Sequence, residues 1–588
     1  MGITIHEIRW ERALLHVEYT VEHAETLCLF SPDTSQEIKF EEEREGSLVH
    51  AVVNVATGPG RQPLAAGKWL FALRIPDAEL ADYETLVQNR PWLLSRTEGY
   101  VRKNLVPPTK RRDTKFIAAY MEREAKNIIL SQPYDAHGIS LDDAVIEDAS
   151  RYDRIFPYTG IYAYAAYITP RTLPDDSVYL VLTTTYYQRN DHPEVRKGSI
   201  RFKEKQAFNA YFKAASAKAR RNGHRILFYK QNGDAPTENM QAVVYRLRER
   251  GLDKDYEIKI HCHNVFKSRQ SFSEWIEDLN LIAKTDYIFI DDYTPIFGFI
   301  DLDKDVVLTQ LWHAGVGFKS VGFARFGIPG SPDPLNSCHR AYTYALVGNA
   351  LLRDTYSEVF GIEKEALLAT GMPRLDGFFN EERAAAIQEK LRSAYPWMRE
   401  GRVIIFAPTF RGATQDLAYY PYAKFLDMER IHEMCVRTNS YFAFEMHGFI
   451  KELPEIPEQF QDRLIDLSHE DLNELYHVAD VLVTDYSSCF YDYLLLEKPV
   501  VFYVPDKVEY GAVRGVQRSV DELAPGTVCD TFDEFMNVLE TSSYEDVEPD
   551  PSCLDRALEK SGRACDRVID TILLGQDIPG VRLEPTGN

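Results

Sequence analysis

The sequence contains no long apolar run. None of its hydrophobic stretches approaches the roughly 20 residues that span a bilayer, so we expect no transmembrane helix. The first segment, MGITIHEIRWERALL, carries charges at Glu7, Arg9 and Arg12, which argues against a signal peptide. His6 occupies the position where a myristoylation pattern needs Ser or Thr. These absences predict a protein that reaches a membrane, if at all, from its surface.

Cysteine is scarce and forms no CxxC pair. The eight cysteines are scattered from Cys28 to Cys565, a distribution that suits a reducing cytosol better than a disulfide framework. The triplet His261, Cys262, His263 places both histidines on one face of a strand. Because no further ligand follows at a familiar spacing, we predict ordinary strand residues there and no metal site.

Positive charge is in deficit. The chain has 67 Lys and Arg against 90 Asp and Glu, a formal net charge of −23, which argues against nucleic acid as a partner. A length of 588 residues exceeds what one core organises, so two or three domains are expected. An anionic substrate would therefore need a locally positive pocket.

The pattern of hydrophobic residues changes along the chain. Residues 1–190 show short β-branched and aromatic runs separated by turns, which predicts a β-rich accessory domain of unknown role. From residue 223, strands alternate with helices, which predicts parallel sheets in an α/β fold. We divide this part into a Rossmann-like domain at 223–385 and a second one at 386–588, with a ligand cleft between them.

Two basic segments interrupt the acidic background. Residues 196–230 hold eleven Lys or Arg and one acid, Glu204, and 102–115 form a second basic segment. Phe208, Phe212 and Ala215 follow helical spacing, so 191–222 is predicted to be a basic amphipathic helix and linker. Two interpretations stay open: a solvated face packed on the neighbouring domain, or attraction to an anionic membrane surface.

Polar side chains collect where the predicted α/β strands end. Active sites of open α/β sheets lie at those ends, and the residues here are mainly cations, imidazoles and hydroxyls, which handle phosphate. The candidates are His313, Arg374, Thr409, Arg411, His447, Ser468, His469, Asp485, Ser487, Ser488, Asp492 and Arg514. No Walker loop, GxGxxG turn or GxSxG elbow accompanies them, which argues against an ATPase, a dinucleotide oxidoreductase or an α/β-hydrolase.

One junction, VLVTDYSSCFYDYLL at residues 481–495, joins a predicted strand directly to a predicted helix. Ser487 and Ser488 fall where the helix begins, so both are predicted to cap it. The free amides and partial positive charge of a helix N-terminus also suit a phosphate. Capping and donor binding are compatible, and we predict both.

Five motifs then carry a specific resemblance. QLWHAGVGFKSVGF, TGMPRLDGFF, FAPTFRG, ADVLVTDYSSCFYDYLLLEKPVVFY and YGAVRG resemble, in order, those of the CDP-glycerol glycerophosphotransferase family. That family comprises the teichoic-acid primases and polymerases and related capsule polymerases of bacteria. The resemblance covers about residues 223–545, and the TDYSS block is its most specific part.

The resemblance implies a GT-B fold with the nucleotide held mainly by the C-terminal domain. It implies transfer of a polyol phosphate from CDP-glycerol or CDP-ribitol to a hydroxyl of a lipid-linked polyol-phosphate or glycan acceptor, with release of CMP. It also implies a peripheral protein on the cytoplasmic face of the bacterial plasma membrane. Two departures occur: WHA replaces the usual WHG, and HG at His447 and Gly448 replaces HP, which loosens a turn.

The family's two essential histidines correspond to His313 and His447. We predict His313 as general base on the acceptor hydroxyl, and His447 as the group that stabilises or protonates the phosphate. Arg374, Arg411 and Arg514 would neutralise developing charge. Asp485 and Asp492 would fix the loop or contact the ribose, or serve structure alone. No carboxylate cluster demands a metal, although Mg²⁺ could bridge the pyrophosphate.

Two alternatives stay open, one a different enzyme and the other a protein without catalytic activity. A nucleotide-sugar glycosyltransferase would share the GT-B fold but attack a sugar carbon, and the TDYSS block argues against it. A non-catalytic scaffold of envelope assembly would not need the two histidines, and both are present.

Overall fold

The computed structural model divides the chain into two compact units. One comprises residues 1–156 and 162–188, and the other comprises 157–161 and 189–588. The structure describes the chain apart from residues 1–2, 22–25, 32–35, 75–83, 85–119, 121–122, 124–133, 136–138, 143–144, 146–153, 158–161, 173–177, 189–194, 266–269, 313–320, 326–336, 413–416, 515–518, 547–561 and 584–588. The basic segment at 102–115 lies outside the described residues. In the described part, no helix combines the length and apolar character needed to cross a membrane.

The first unit is built from two sheets. The five-stranded sheet has the order β5-β6-β2-β1-β9, from β1 (Ile3–Glu11), β2 (Leu14–Val21), β5 (Glu41–Glu45), β6 (Leu48–Asn54) and β9 (Ile139–Leu141). The other has the order β10-β11-β12-β7-β3-β4 with β8 against β7, from β3 (Leu27–Ser31), β4 (Gln36–Lys39), β7 (Gly67–Arg74), β8 (Tyr134–Asp135), β10 (Arg154–Pro157), β11 (Tyr162–Thr172) and β12 (Val178–Gln188).

Alternation of apolar and polar residues explains these strands. In β2, Leu15, Val17, Tyr19 and Val21 are buried and the residues between them are partly exposed, as a strand with one covered face requires. The predicted β-rich amino-terminal region is confirmed.

The second unit contains two parallel sheets. The first has the order β14-β13-β15-β16-β17-β18, from β13 (Arg225–Lys230), β14 (Glu257–Cys262), β15 (Tyr287–Ile290), β16 (Val307–Gln310), β17 (Tyr344–Leu346) and β18 (Leu367–Leu368). The helices of this half are α1 (Val195–Lys218), α2 (Glu238–Glu249), α3 (Phe272–Ala283) and α4 (Arg353–Phe360).

The ends of these helices follow from the sequence. A capping box of Ser271 and Glu274 opens α3, and left-handed Gly251 (φ 73°) follows α2, the two boundaries that the sequence predicts.

The second sheet has the order β21-β20-β19-β22-β23-β24. Its strands are β19 (Arg402–Phe406), β20 (Ser440–Phe444), β21 (Leu464–Asp466), β22 (Val481–Thr484), β23 (Val500–Tyr503) and β24 (Thr527–Cys529). Its helices are α5 (Glu381–Ala394), α6 (Tyr422–Phe425), α7 (Met428–Arg437), α8 (Leu472–Leu475), α9 (Cys489–Leu494), α10 (Lys507–Arg514), α11 (Val520–Leu523) and α12 (Phe532–Thr541). All residues of β20 and β22 are buried, as expected of strands covered on both faces.

The carboxyl-terminal segment returns to the first sheet. Helix α13 (Ala564–Val568) continues into a π-helical turn at Ile569–Leu573. Val568 and Ile569 join the core that includes Ile226 and Phe228 of β13. Arg246 of α2 binds Asp566 at 2.7 Å. The segment that the sequence places in the second α/β domain therefore packs on the first.

Helix α1 packs by its apolar stripe on α3. Phe212 is fully buried, and the Phe208 ring stacks on Trp275 at 5.2 Å. Lys213 binds Asp301 at 2.7 Å. Arg221, just beyond the helix, binds Asp303 at 2.8 Å. One face of the described part of α1 therefore packs within the same unit, and part of the basic charge is paired with acids; the amphipathic character of 191–222 as a whole stays a prediction.

Candidate active site

The order of the second sheet contains a switch point. Counted along the chain, its strands lie in the order 3-2-1-4-5-6, so the connections reverse direction between β19 and β22. Ligands of open α/β sheets bind outside the carboxyl ends of strands at such a switch point. The loops that leave β19 and β22 there carry Thr409, Arg411, Asp485 and Ser487.

Asp485 connects the two loops. It is 1% exposed, and its Oδ1 accepts hydrogen bonds from the backbone amides of Thr409 (2.8 Å) and Tyr486 (2.6 Å). Its Oδ2 accepts one from Arg411 Nη1 at 2.8 Å. Through these contacts Asp485 fixes the two loops, which is one of the roles predicted for it from the sequence. The Thr409 hydroxyl is buried and has no hydrogen-bond partner among the described residues, so it is available to a ligand.

Arg411 is held inside the protein. Besides Asp485, its Nε and Nη2 bind the two oxygens of Asp506 at 2.6 and 2.8 Å. Tyr420, Tyr486 and Tyr510 surround the guanidinium, with ring centroids 5.1–5.4 Å from it. Burial lowers the pKa of Arg411, but the two carboxylates outweigh burial and hold this pKa well above its usual range. The N–H groups of Arg411 that bind Asp485 and Asp506 are already engaged within the protein. The binding of a phosphate by Arg411 therefore stays a prediction.

Ser487 and Ser488 differ at the start of α9. The Cys489 amide donates to Ser487 Oγ at 3.3 Å, so Ser487 satisfies one free donor of the helix. Ser488 makes no side-chain capping bond, because its backbone is already helical (φ −79°, ψ −2°) and a capping side chain needs extended backbone. The prediction that both serines cap the helix is therefore wrong for Ser488. Their predicted contact with a pyrophosphate stays a prediction.

Arg374 joins the two α/β halves. Its Nη2 donates to Asp492 Oδ2 at 2.5 Å and its Nη1 to Asn473 Oδ1 at 3.3 Å. Asn473 in turn donates to Glu238 of α2 at 3.1 Å. Burial lowers the pKa of Arg374, but the nearby carboxylates, Asp492 foremost, outweigh burial, so this pKa lies above its usual value. Burial raises the pKa of Asp492, and Arg374 opposes this rise without cancelling it.

A cavity of about 760 Å³ opens beside Arg374. Its walls carry four guanidinium groups and six carboxyl groups, those of Arg246, Arg374, Arg383 and Arg563 and of Glu238, Glu249, Asp376, Asp471, Glu474 and Asp566. Cavities of this size hold ligands as large as a nucleotide. Thr409 and Asp485 do not line it, so this cavity and the loops at the switch point are separate places.

His447 lies next to the switch point. Its ring packs against Phe410 at 5.1 Å, and its Nδ1 accepts a hydrogen bond from the Phe449 amide at 3.2 Å. The neutral ring therefore carries its proton on Nε2.

Ser468 and His469 lie in the loop beside His447 and make internal contacts. Ser468 Oγ accepts from the Met446 amide at 3.1 Å and donates to Asp466. His469 lies 3.0 Å from the Tyr395 hydroxyl, with its side chain 65% exposed. These contacts support the loop that carries His447. Binding of donor phosphate by Ser468 or His469 stays a prediction.

His313 lies outside the described residues, but the segment leading to it is fixed. Trp312 is buried and has a left-handed backbone (φ 54°), an unfavourable conformation for a bulky residue. Its amide donates to Gln310 Oε1 at 3.0 Å, and its carbonyl accepts from Asn239 Nδ2. Asn239 Oδ1 also accepts from the Arg374 amide at 2.9 Å. Arg514 ends α10, and its side chain is likewise not described.

Three residues of this site were missed by sequence reasoning. Asn239 gives no local signal, because its partners follow 73 and 135 residues later. Asp506 and Glu445 follow strands β23 and β20, so a systematic reading of strand ends would have found them. Burial raises the pKa of Glu445 to about 7, with Asp471 and Asp466 adding to the rise. A carboxyl with a raised pKa thus lies two residues before His447.

Comparison with known proteins identifies the family. Residues 211–574 match the model of the CDP-glycerol:poly(glycerophosphate) glycerophosphotransferase family. The chain belongs to this family. The predicted family is confirmed, and the family's transfer of a polyol phosphate is the reaction class predicted from the sequence.

Individual relatives are teichoic-acid enzymes. The chain is similar to the teichoic acid poly(ribitol-phosphate) polymerase of Bacillus spizizenii, at 34% identity over 60% of this chain and 57% of that protein. It is similar to the ribitol-phosphate polymerase TarK of Staphylococcus aureus, at 32% identity over 68% of this chain and 77% of that protein. The chain thus spans little more than half the length of the Bacillus relative.

A solved structure supports the fold. A histidine variant of the wall teichoic acid polymerase TagF aligns with a TM-score of 0.50 at 16% identity, over 64% of this chain and 97% of that chain. At this identity the likeness shows the fold alone, and it confirms the predicted GT-B architecture.

Proposed function

We propose that this protein transfers a polyol phosphate from a CDP-polyol to a hydroxyl of a teichoic-acid-type acceptor and releases CMP. The observation that carries the proposal is the switch point of the second sheet. There Thr409, whose hydroxyl has no hydrogen-bond partner among the described residues, and Ser487 lie on the loops that leave β19 and β22. His447 packs against Phe410 of the first of these loops, in a chain of the glycerophosphotransferase family.

The reaction needs one bond made and one broken. The acceptor oxygen attacks the phosphorus that bears the polyol, the bond from that phosphorus to the CMP oxygen breaks, and the acceptor proton passes to a base. We assign that base to His313, because an imidazole titrates near neutral pH. His447 Nε2–H donates to the phosphate oxygens, and such electrostatic stabilisation dominates phosphoryl transfer.

The preferred donor in this proposal is CDP-ribitol. Three relatives at 31–34% identity are named ribitol-phosphate polymerases, whereas the glycerol-phosphate enzymes reach 25–26%. CDP-glycerol is the second candidate. Mg²⁺ on the pyrophosphate stays a prediction; Asp485 and Asp506 already bind Arg411, so such an ion would rely on donor oxygens and water, as Mg²⁺ commonly does.

The acceptor is proposed to be lipid-linked and met at the cytoplasmic membrane surface. The basic segment 196–230 supports this, although Lys213 and Arg221 are paired with acids. Co-sedimentation with anionic vesicles, lost in neutral vesicles and at high salt, is the expected result. Equal sedimentation with both kinds of vesicle would contradict an electrostatic surface contact.

CMP release by the full chain tests the proposed reaction. The protein is offered CDP-ribitol, CDP-glycerol and a UDP-sugar in turn, with a lipid-linked polyol-phosphate acceptor. We expect CMP from a CDP-polyol, and a loss of roughly 100-fold or more in His313→Ala and His447→Ala. His432→Ala, at a partly buried histidine that is paired with Asp462, serves as the matched control. Turnover of the UDP-sugar alone would favour a glycosyltransferase, and no turnover would favour a scaffold.

A further inference from the structure

Three potential metal ligands converge at the edge of the first parallel sheet. His261 belongs to edge strand β14, His263 follows it directly, and Asp278 lies on α3. His261 Nε2 is 2.9 Å from Asp278 Oδ1, and His263 Nε2 is 3.5 Å from Asp278 Oδ2. One ligand atom from each of the three lies within 4.8 Å of the others. Asp278 is the third ligand that the sequence spacing did not predict.

The carboxylate of this cluster is held in place. Asp278 is 1% exposed, and its Oδ2 accepts hydrogen bonds from the Tyr229 hydroxyl at 2.7 Å and Gln270 Nε2 at 2.6 Å. The Tyr229 ring also stacks on His261, with centroids 5.8 Å apart. Such outer hydrogen bonds commonly orient the carboxylate and imidazole ligands of a metal.

The state of the His263 ring is a second observation that points to a bound ion. Both its ring nitrogens are buried, and neither has a hydrogen-bond partner among the residues that the structure describes. Buried polar atoms are nearly always satisfied, so an imidazole in this state calls for an ion or water. The side chains of His261 and His263 remain 35% and 26% exposed, which leaves a path from solvent.

We propose that His261, His263 and Asp278 bind a divalent transition-metal ion of the zinc type. Two imidazoles and one carboxylate form a common zinc ligand set, and water would complete the tetrahedron. Neighbouring ligand atoms in such a site lie about 3.3 Å apart, so small side-chain rotations close the set. Mg²⁺ and Ca²⁺ prefer oxygen ligands and are not expected there.

The ion would join edge strand β14 to helix α3. That connection matters because α3 also carries Trp275, against which Phe208 of α1 packs. The proposed role is therefore to stabilise this edge of the first α/β half, and it is independent of the proposed transfer reaction. Binding a metal to the folded state alone raises the melting temperature as metal concentration rises.

Metal binding by the full chain tests this site directly. The protein is stripped with a chelator, dialysed and titrated with Zn²⁺, and metal content is measured by mass spectrometry. Co²⁺ is then substituted, because its visible absorption reports coordination by protein ligands. We expect one equivalent of Zn²⁺, tetrahedral Co²⁺ absorption and a melting temperature that rises with Zn²⁺.

The variants separate ligands from structural histidines. His263→Asn and His261→Asn should lose the bound equivalent and the Co²⁺ spectrum, and the His263 change removes no observed hydrogen bond. His432→Asn is the matched control, because His432 pairs with Asp462 at 2.8 Å but belongs to no group of three potential metal ligands among the described residues. Absence of Zn²⁺ binding, or full binding by a folded His263→Asn variant, would overturn the proposal and leave a hydrogen-bonded His–Asp pair.

Discussion

At the scale of single residues, Asn239 has the most consequential contacts. One side-chain amide donates to the Trp312 carbonyl and to Asp291 Oδ1, and accepts from the Arg374 amide. It therefore fixes the residue before His313 and the backbone of Arg374 at once. Because Trp312 has a left-handed backbone, the segment depends on these external bonds to keep its conformation.

Replacing Asn239 with Asp should impair catalysis in a pH-dependent way. The ionised carboxyl cannot donate to Trp312, so we expect kcat to fall by roughly 10- to 100-fold at pH 7.5 with a smaller change in KM for the donor. As pH falls, the introduced carboxyl gains a proton and can donate again, so the ratio of variant to wild-type activity should rise. Asn280→Asp, an exposed amide that pairs with Tyr211, is the control. A ratio independent of pH would contradict the positioning role.

Glu445 makes stability depend on pH. Its folded pKa of about 7 lies above the ordinary value of 4.5, so its contribution to stability is fully present below pH 4.5 and is lost as pH rises through 7. Glu445→Gln removes this loss. The melting temperature of the variant, relative to wild type, should therefore increase between pH 4.5 and 7. Glu452→Gln, at an exposed site, should show no such trend, and a flat difference for Glu445→Gln would disprove the effect.

At the scale of elements, local pattern was informative for the second unit. Buried β-branched strands such as β22, the Ser271 cap and the glycine after α2 are local signals, and these elements lie where the sequence predicts. Contacts between distant elements were not predictable. Asn239 and Asp278 find their hydrogen-bond partners on other elements. Whether Ser488 caps its helix depends on its own backbone conformation, which the sequence does not specify.

The return of the carboxyl-terminal helix is such a distant contact and gives an element-scale prediction. Deleting residues 562–588 removes α13 and exposes the apolar face that includes Ile226, Phe228 and Val243. We expect the shortened protein to unfold at a clearly lower temperature or to aggregate, as measured by calorimetry and light scattering. Deleting only 584–588 is the control. Equal stability of the two deletions would show that the returning segment contributes nothing.

At the scale of the whole molecule, the second unit combines two parallel sheets, and the second sheet has a switch point between β19 and β22. Its motifs and the family match predict the reaction class, whereas donor choice depends on contacts that the sequence motifs do not encode. The amino-terminal sheets are predictable as β structure from alternation, as in β2. The role of these sheets is not predictable, because we recognise no set of functional side chains at the ends of their strands.

Mass spectrometry of the acceptor after incubation with CDP-ribitol tests the central claim most directly. Transfer predicts that the acceptor gains the mass of one or more ribitol phosphates, in proportion to the CMP released, and that His447→Ala abolishes both signals. CMP release with an unchanged acceptor would mean hydrolysis of the donor. An acceptor that instead gains a sugar from a nucleotide sugar would contradict polyol-phosphate transfer.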